Sequence, residues 1–406
     1  MSDARLTSSR IGSKLILAAV MVGLIITAAS AFAQTFTVLY SFAANDDGQN
    51  PYGRLRSGAA GHLIGTTLNG GVYGCGRAFQ LRIPPTGEPP WQEILIYDFR
   101  GKPDACNPYG GLVADSEGDF YGTTYAGGAN GEGAVFELFR GARGIEAVLY
   151  SFGSSAQDGI NPQGALITDA SGSFYGTTDS GGAYGKGTVF ELAESDGKWI
   201  ETVIYSFKGQ PDGATPYAAL HMDTKGNLYG TTYYGGTDNL GTVFELSPSA
   251  TGWTETVLEN FTGSSSGAYP LSDLQGNLYG TTQGGGAHGE GTVFQIKKDE
   301  EVVLYSFCAL KDCADGANPA AGVVRDDLGN TYGVTTAGGA YGHGTVFEVT
   351  KAGVETVLHS FTGGADGAYP AGDLIIDSKG NLYGTARSGG NTGCSNGCGV
   401  VFEVTP

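Results

Sequence analysis

The sequence predicts an all-β protein, a seven-bladed β-propeller with four antiparallel strands per blade. Three observations carry that prediction. The phrase "YGTT" recurs seven times at a near-constant period. Each period holds four short runs of strand-forming residues. The two ends of the chain supply complementary fragments of one repeat unit.

The period is read from the tyrosine of the phrase. The series is Ile64 (in place of Tyr), Tyr121, Tyr175, Tyr229, Tyr279, Tyr332 and Tyr383, with gaps of 57, 54, 54, 50, 53 and 51. A repeat near 50 residues, rich in β-formers, fits propeller blades better than helical solenoids. The third unit shows the four runs plainly: "GALITD" from Gly164, "SFYGTT" from Ser173, "GTVFEL" from Gly187 and "IETVIYSF" from Ile200. β-Branched and aromatic residues fill these runs, and Gly, Asp, Asn or Pro bound them. Outside the first 33 residues no window keeps a helical period.

Residues 1–33 read as a secretory signal peptide. Arg5, Arg10 and Lys14 precede the uncharged, apolar stretch Leu15–Ala29, and Ala31-Phe32-Ala33 is a small-x-small cleavage site before Gln34. No later segment approaches the roughly 18 apolar residues of a membrane span. The expected mature chain is one propeller domain, 34–406, secreted or periplasmic, without a transmembrane segment or a C-terminal anchor, and monomeric. It opens with "TFTVLYSF" (35–42), a fourth-strand sequence, and closes with "GVVFEV" (399–404), a third-strand sequence. The prediction is that 35–42 pairs with 399–404 and closes the ring, which removes a free sheet edge.

Charge narrows the function. The full chain carries −19, with 22 Lys and Arg against 41 Asp and Glu. The leader has a net charge of +2, so the chain from Gln34 carries −21. Such acidity opposes binding to a phosphate backbone, and no nucleic-acid partner is expected. The six cysteines suit disulfides in an exported chain. The preferred set is Cys75 with Cys106, Cys308 with Cys313, and Cys394 with Cys398; zinc is the runner-up, without a His at finger-like spacing.

Spacing separates scaffold from variable surface. From the Tyr, or Ile64, to the Phe of "VFEL" is 15 residues in six units; the seventh has 19, because "CSNGC" enlarges its loop. The residues of "YGTT" recur in nearly every unit and so read as structural. Its Gly is expected to make room for a side chain of a neighbouring blade, the Phe of "VFEL", with the Tyr and Thr rows filling the spaces between blades. Glu137, Glu191, Glu245, Glu348 and Glu403 share one repeat position and read as structural or surface residues, not as acid/base partners.

The stretch "LYGTTYYGG…GTVFEL…ETVLENFTG" resembles the GloVer-type tandem repeat of exported bacterial proteins, a family with interchangeable C-terminal surface anchors. The likeness covers nearly all of the mature chain, although this chain ends at "VFEVTP" with no such anchor. It carries no catalytic residues to these positions. A more distant similarity to kelch blades, through the Gly-Gly after the second strand, supports the propeller alone.

Chemistry is expected on one face of the ring. In an up-down blade the second-to-third loop and the blade-to-blade loop share one end. The blade-to-blade loops repeat "DGxxP" around Asp47, Asp158, Asp212, Asp315 and Asp366, with Asp104 in the altered "DACNP" and Ser266 in the fifth unit. These aspartates either bond backbone N–H groups in a turn or form a carboxylate ring for Ca²⁺ or sugar hydroxyls. The Gly-Gly loops keep their length but vary in side chain, with Tyr184, His288, Tyr341 and His343 as candidate ligand-binding residues. "GSSSG" (263–267) matches the hydrolase-elbow pattern around Ser265, but in a linker loop rather than a strand–turn–helix. The favoured reading is a non-catalytic binding or scaffold propeller that recognises glycan or protein through this face, with no cofactor beyond the Ca²⁺ option. The alternatives are an extracellular carbohydrate-active hydrolase or lyase with its site at the central channel, and a structural cell-surface spacer.

Overall fold

The computed structural model describes residues 34–44, 47–139, 146–250, 252–262, 277–297 and 300–406, together with the backbone course of 268–273. The expected signal peptide and the "GSSSG" stretch, with Ser265 and Ser266, lie outside the described residues.

Seven small antiparallel sheets form a seven-bladed propeller. In each blade the chain runs from the innermost strand, beside the axis, outward to the fourth. Blade 3 is typical: Gly159–Ile160 and Ile167–Thr168 form the interrupted inner strand, followed by Phe174–Thr178, Thr188–Ser195 and Lys198–Ser206. The ring closes as expected. Thr35–Ser41 is the outer strand of blade 7 and pairs with Val400–Thr405, from Thr35 opposite Thr405 to Ser41 opposite Val400. Phe42 N–H donates to the Gly399 carbonyl at 3.0 Å and ends the ladder.

Two rows of phenylalanines hold blade to blade. The "VFEL" row (Phe79, Phe136, Phe190, Phe244, Phe294, Phe347, Phe402) and the "YSF" row (Phe42, Phe99, Phe152, Phe207, Phe261, Phe307, Phe361) are almost completely buried. Each outer-strand Phe meets the "VFEL" Phe of the next blade edge-on, from Phe99–Phe136 at 4.9 Å to Phe261–Phe294 at 5.5 Å between centroids. The closing seam has the same pair, Phe42–Phe79 at 5.1 Å. Such pairs contribute about 0.5–1.5 kcal/mol beyond their burial.

The repeated glycine does make room for a phenylalanine, but for the one on its own blade. Gly122 lies opposite Phe136 on the adjacent strand, and a Cβ at Gly122 would stand 2.7 Å from Phe136 Cζ. The cause is the antiparallel register, which sets the two residues face to face. The tyrosine and the first threonine of the phrase bridge the blades. Tyr121 packs in the cluster of Phe174, Phe190 and Leu192 of blade 3, and Thr123 Oγ1 donates to the Gly164 carbonyl of that blade at 2.8 Å. Tyr121 also places its hydroxyl 2.9 Å from Glu137 and 3.0 Å from Asp115. Similar clamps join Tyr175, Tyr332 and Tyr383 to Glu191, Glu348 and Glu403, so these glutamates hold the strand-to-strand turn.

Every outer strand carries one β-bulge between the Val and the Tyr of "VLY" or its variants, as at Val38/Tyr40 and Val203/Tyr205. The extra residue shifts the two-residue period, so Leu39 and Phe42 both reach the interior.

All six cysteines are in disulfides, which overturns the zinc alternative. Cys75–Cys106 ties the Gly-Gly loop of blade 1 to the loop entering blade 2, and the other two bridges close short loops. Closing a 31-residue separation stabilises by about 3–4 kcal/mol on the chain-entropy view. The double variant Cys75→Ser/Cys106→Ser is therefore expected to unfold at lower denaturant concentration with an unchanged far-UV spectrum. An unaltered midpoint would remove the bridge's structural role.

Candidate binding site at the channel mouth

The "DGxxP" carboxylates are used inside their own turns. Asp158 is almost wholly buried; its Oδ2 accepts from Tyr150 Oη and from Ser154 N–H, each at 2.8 Å. Asp47 accepts from Tyr40 Oη (3.0 Å), Ala43 N–H and Gly48 N–H. Asp104, Asp212 and Asp315 repeat the pattern with Tyr97, Tyr205 and Tyr305. In the last loop His359 takes the place of the tyrosine, 3.0 Å from Asp366.

A second carboxyl approaches most of these aspartates from the outer strand of the following blade. Burial and then the neighbouring aspartate raise Glu201 and Glu255 to about 7 and Glu355 to about 8. Burial and Asp104 push Glu146 strongly up. One seam sets an arginine against the repulsion: Arg77 lies 2.8 Å from Asp98, 3.4 Å from Glu93 and 3.5 Å from Asp47, although burial still raises Glu93. Where the fifth unit has Ser266, the tyrosine position of the preceding outer strand is itself acidic. There Glu259 faces Glu301, and burial followed by Glu259 raises Glu301 to about 7.

Tyr184, His288 and Tyr341 are exposed and stand on three separate Gly-Gly loops. His343 is half-buried, its ring 5.5 Å from that of Tyr369 and edge-on to it. A tight acidic trio elsewhere, Asp115, Glu117 and Asp119, brings oxygens within 4.8 Å of one another. There Asp115 Oδ1 already accepts three backbone N–H groups and its Oδ2 the Tyr121 hydroxyl, so the turn accounts for it.

The richest cluster lies inward of those loops, around the axis. It comes from two positions at which the repeats differ: the residue after the proline of "DGxxP", and the residue after "YGTT". The first gives Tyr52, Tyr109, Gln163 and Tyr217; the second gives Tyr125, Asp179, Tyr233, Gln283 and Arg387. Their side chains meet around the mouth of the channel. Tyr52–Tyr109 are edge-on at 5.1 Å, Tyr109–Tyr125 are at 5.7 Å and Tyr217–Tyr233 at 5.6 Å. Gln163 donates to Asp179 at 2.9 Å and Tyr233 to Gln283 at 3.1 Å. The five tyrosines are half-buried, so each keeps a wet edge. Burial raises Tyr109 and Tyr233 above the usual phenol range, so both are donors at neutral pH.

Backbone geometry fixes this collar. Asn50, Asn107, Asn161 and Asn318 precede the prolines in left-handed conformation, φ between 51° and 60°. That region suits Asn among non-glycine residues. Their amides reach back to the preceding blade; Asn161 Nδ2 donates to the Tyr125 carbonyl at 3.0 Å. Tyr125 N–H in turn donates to the Asn107 carbonyl at 3.0 Å, so Tyr125 is held from both sides. Thr215 and Tyr369 adopt the same φ without an asparagine side chain, at 57° and 55°. Beneath the collar the inner strands crowd together. A Cβ at Gly110 would sit 2.8 Å from Ala165 N, and one at Gly164 2.6 Å from the Ala218 carbonyl. The neck they form has a volume of about 70 Å³.

At the next depth most residues are small: Gly111, Ala165, Ala219 and Gly322. Arg54 of blade 1 and Asp373 of blade 7 are the charged lining residues of this level among the described residues. Asp373 Oδ1 accepts from Gly322 N–H at 2.8 Å. Burial raises its carboxyl, and Arg54 partly offsets the effect. Sequence reading alone had not singled out the collar or this pair. The usable signal was disagreement between repeats inside an invariant frame, two residues from motifs already recognised.

Among solved structures, the fold is similar to two proteins assigned provisionally as 6-phosphogluconolactonases. The one from Bacteroides uniformis is 17% identical, with a TM-score of 0.53, and the match covers 80% of this chain and 88% of that one. The one from Bacteroides fragilis is 19% identical, with a TM-score of 0.51 and coverage of 80% and 87%. A puromycin-hydrolyzing peptidase of Mycobacterium tuberculosis is 11% identical, with a TM-score of 0.48; the match covers 84% of this chain and half of that longer one. At these identities the likeness concerns the fold alone. No curated protein sequence matches. The Gloeobacter/Verrucomicrobia repeat model matches residues 82–275 and 271–406, most of the seven-blade ring. On that match, and on the "YGTT…VFEL" frame that builds each blade, the chain belongs to the Gloeobacter/Verrucomicrobia repeat family.

Proposed function

We propose that the protein is an exported, non-catalytic binding propeller that takes a glycan at the channel mouth. The collar of Tyr52, Tyr109, Tyr125, Tyr217 and Tyr233 carries this reading. Phenol rings offer faces for sugar C–H groups and hydroxyls for hydrogen bonds. Gln163, Asp179, Gln283 and Arg387 add amide, carboxylate and guanidinium partners beside them. Tyr184, His288, Tyr341 and His343 stand on the same face and extend the contact outward. The "DGxxP" carboxylates serve their turns, so binding should not need Ca²⁺.

Probing a glycan array with chain 34–406, with and without EDTA, tests this. For a glycan that binds, Tyr109→Ala and Tyr217→Ala are each expected to weaken affinity about tenfold or more, in line with the loss of an aromatic anchor. The Tyr184→Ala/Tyr341→Ala pair should cost only about two- to threefold, and EDTA nothing. Loss of binding in EDTA would move the site to the carboxylate loops, and no binding at all would favour a structural spacer.

A channel enzyme is the second reading, favoured by the charged pair Arg54 and Asp373 that no other described blade repeats. Turnover of a bound glycan, abolished in Asp373→Asn, would establish it.

A further inference from the structure

We propose that the other end of the channel, on the face opposite the "DGxxP" loops, binds a small organic monocarboxylate with an apolar body. The inner strands run from the loop face toward this end, so the lining deepens from Tyr52 through Arg54 to Arg56. Here the channel widens below the neck into a cavity of about 570 Å³, within the size range of small-molecule sites.

Its wall is mostly aliphatic. The fifth residue after the proline is Val113, Ile167, Val324 and Ile375 in blades 2, 3, 6 and 7. Among the described residues two blades break this belt: Arg56 in blade 1 and His221 in blade 4. Arg54 lies two residues before Arg56, which opens the inner-strand segment Arg56–Ser57. Both line the cavity. Among the described residues neither Arg54 nor Arg56 forms an ion pair. Among the described residues the lining contains a single acidic residue, Asp373, already held by the Gly322 N–H.

This local charge runs against the whole molecule. Acidic residues outnumber Lys and Arg 41 to 22 in the sequence. Among the described residues of this cavity two guanidiniums and an imidazole face one carboxyl. Among the described lining residues the two guanidiniums outnumber the one carboxyl, and a monocarboxylate redresses that excess. A guanidinium can meet a carboxylate through two parallel N–H···O bonds. The aliphatic belt offers nothing to sugar hydroxyls but suits a ring or short alkyl chain.

Calorimetric titration of chain 34–406 with benzoate and cyclohexanecarboxylate tests this, with benzamide as the uncharged match. Both acids should bind and benzamide should not. Arg56→Gln and Arg54→Gln should each weaken benzoate binding about tenfold, the loss expected for one charge-assisted contact, while Tyr109→Ala leaves it unchanged. Arg54→Gln removes the charge opposite Asp373, so Arg56→Gln, at the wide end, keeps the test sound if the first variant melts early. Phenyl phosphate binding more tightly than benzoate would overturn the monocarboxylate assignment. Equal binding of benzamide, full affinity in both arginine variants, or no heat up to about 10 mM benzoate, far weaker than specific binding, would overturn the site.

Discussion

A chain that begins after Phe42 is expected to lose cooperative folding, or to melt more than about 10 °C below the chain starting at Gln34. The strand Thr35–Ser41 contributes a full ladder to blade 7, and the segment buries Leu39 and Phe42 completely at the seam with blade 1. Truncating two such side chains alone costs about 2–5 kcal/mol each. In a chain of this size each kcal/mol moves the melting temperature by about 2–4 °C or somewhat less. Removing the strand also exposes the edge of Val400–Thr405 to pairing with other chains, so aggregation should accompany the loss. Differential scanning calorimetry decides the matter. Leu39→Ala is the milder control, and an unchanged transition in the truncated chain would mean that the ring is held without this closure.

Stability is expected to be greatest in mildly acidic solution and to fall as pH rises from about 5 to 9. The sign follows from the seam glutamates. Glu201, Glu255 and Glu301 stand at about 7 and Glu355 at about 8 in the folded chain, with burial as the main cause. An unfolded glutamate titrates near 4.3. Their contribution is therefore fully present below that value and is lost as pH rises through the folded values. The turn aspartates Asp115, Asp169 and Asp223 are lowered by the hydrogen bonds they accept, so they act in the opposite direction, with stability lost only in strong acid. Glu355→Gln is expected to add about 1–2 kcal/mol at pH 8, after allowing for solvent screening, and almost nothing at pH 4.5. Urea midpoints at the two pH values measure this. An equal shift at both would show that Glu355 is ionised in the fold without penalty.

Arg77 shows that the loss of stability with rising pH belongs to the design of the repeat rather than to one residue. It occupies the first position of the third strand, where other blades carry Thr, Ala or Val. There its guanidinium lies within 3.5 Å of Asp47, Glu93 and Asp98 together and offsets part of their mutual repulsion. At Asp104, Asp158, Asp212 and Asp315 the corresponding third-strand residue is Ala134, Thr188, Thr242 or Thr345, and a proton on the facing glutamate serves instead.

Much of the fold was legible because each blade repeats one local solution. "YGTT", "VFEL" and "YSF" reveal strands through β-branched and aromatic content, and their period counts the blades. The split repeat at the ends foretold the closing strand to within one residue, and the three disulfides matched the proposed pairs. The glycine of "YGTT" was read one blade too far, since the sequence carries composition but not the register that places Gly122 against Phe136. The outer-strand bulge was hidden for the same reason: "VLYSF" does not show which residue is left unpaired.

The amino-acid sequence by itself determined the number of blades, their strand order, the seam that closes the ring and the face on which its variable loops lie. These follow from periodicity and turn chemistry, which act over a few residues. Only the tertiary structure decided which variable residues meet. Tyr52 and Tyr109 are 57 positions apart and Arg54 and Asp373 are 319 apart, and each pair comes together because the propeller turns equivalent positions of neighbouring repeats toward one axis. Convergence at an axis is a property of the closed ring, and no single repeat contains it.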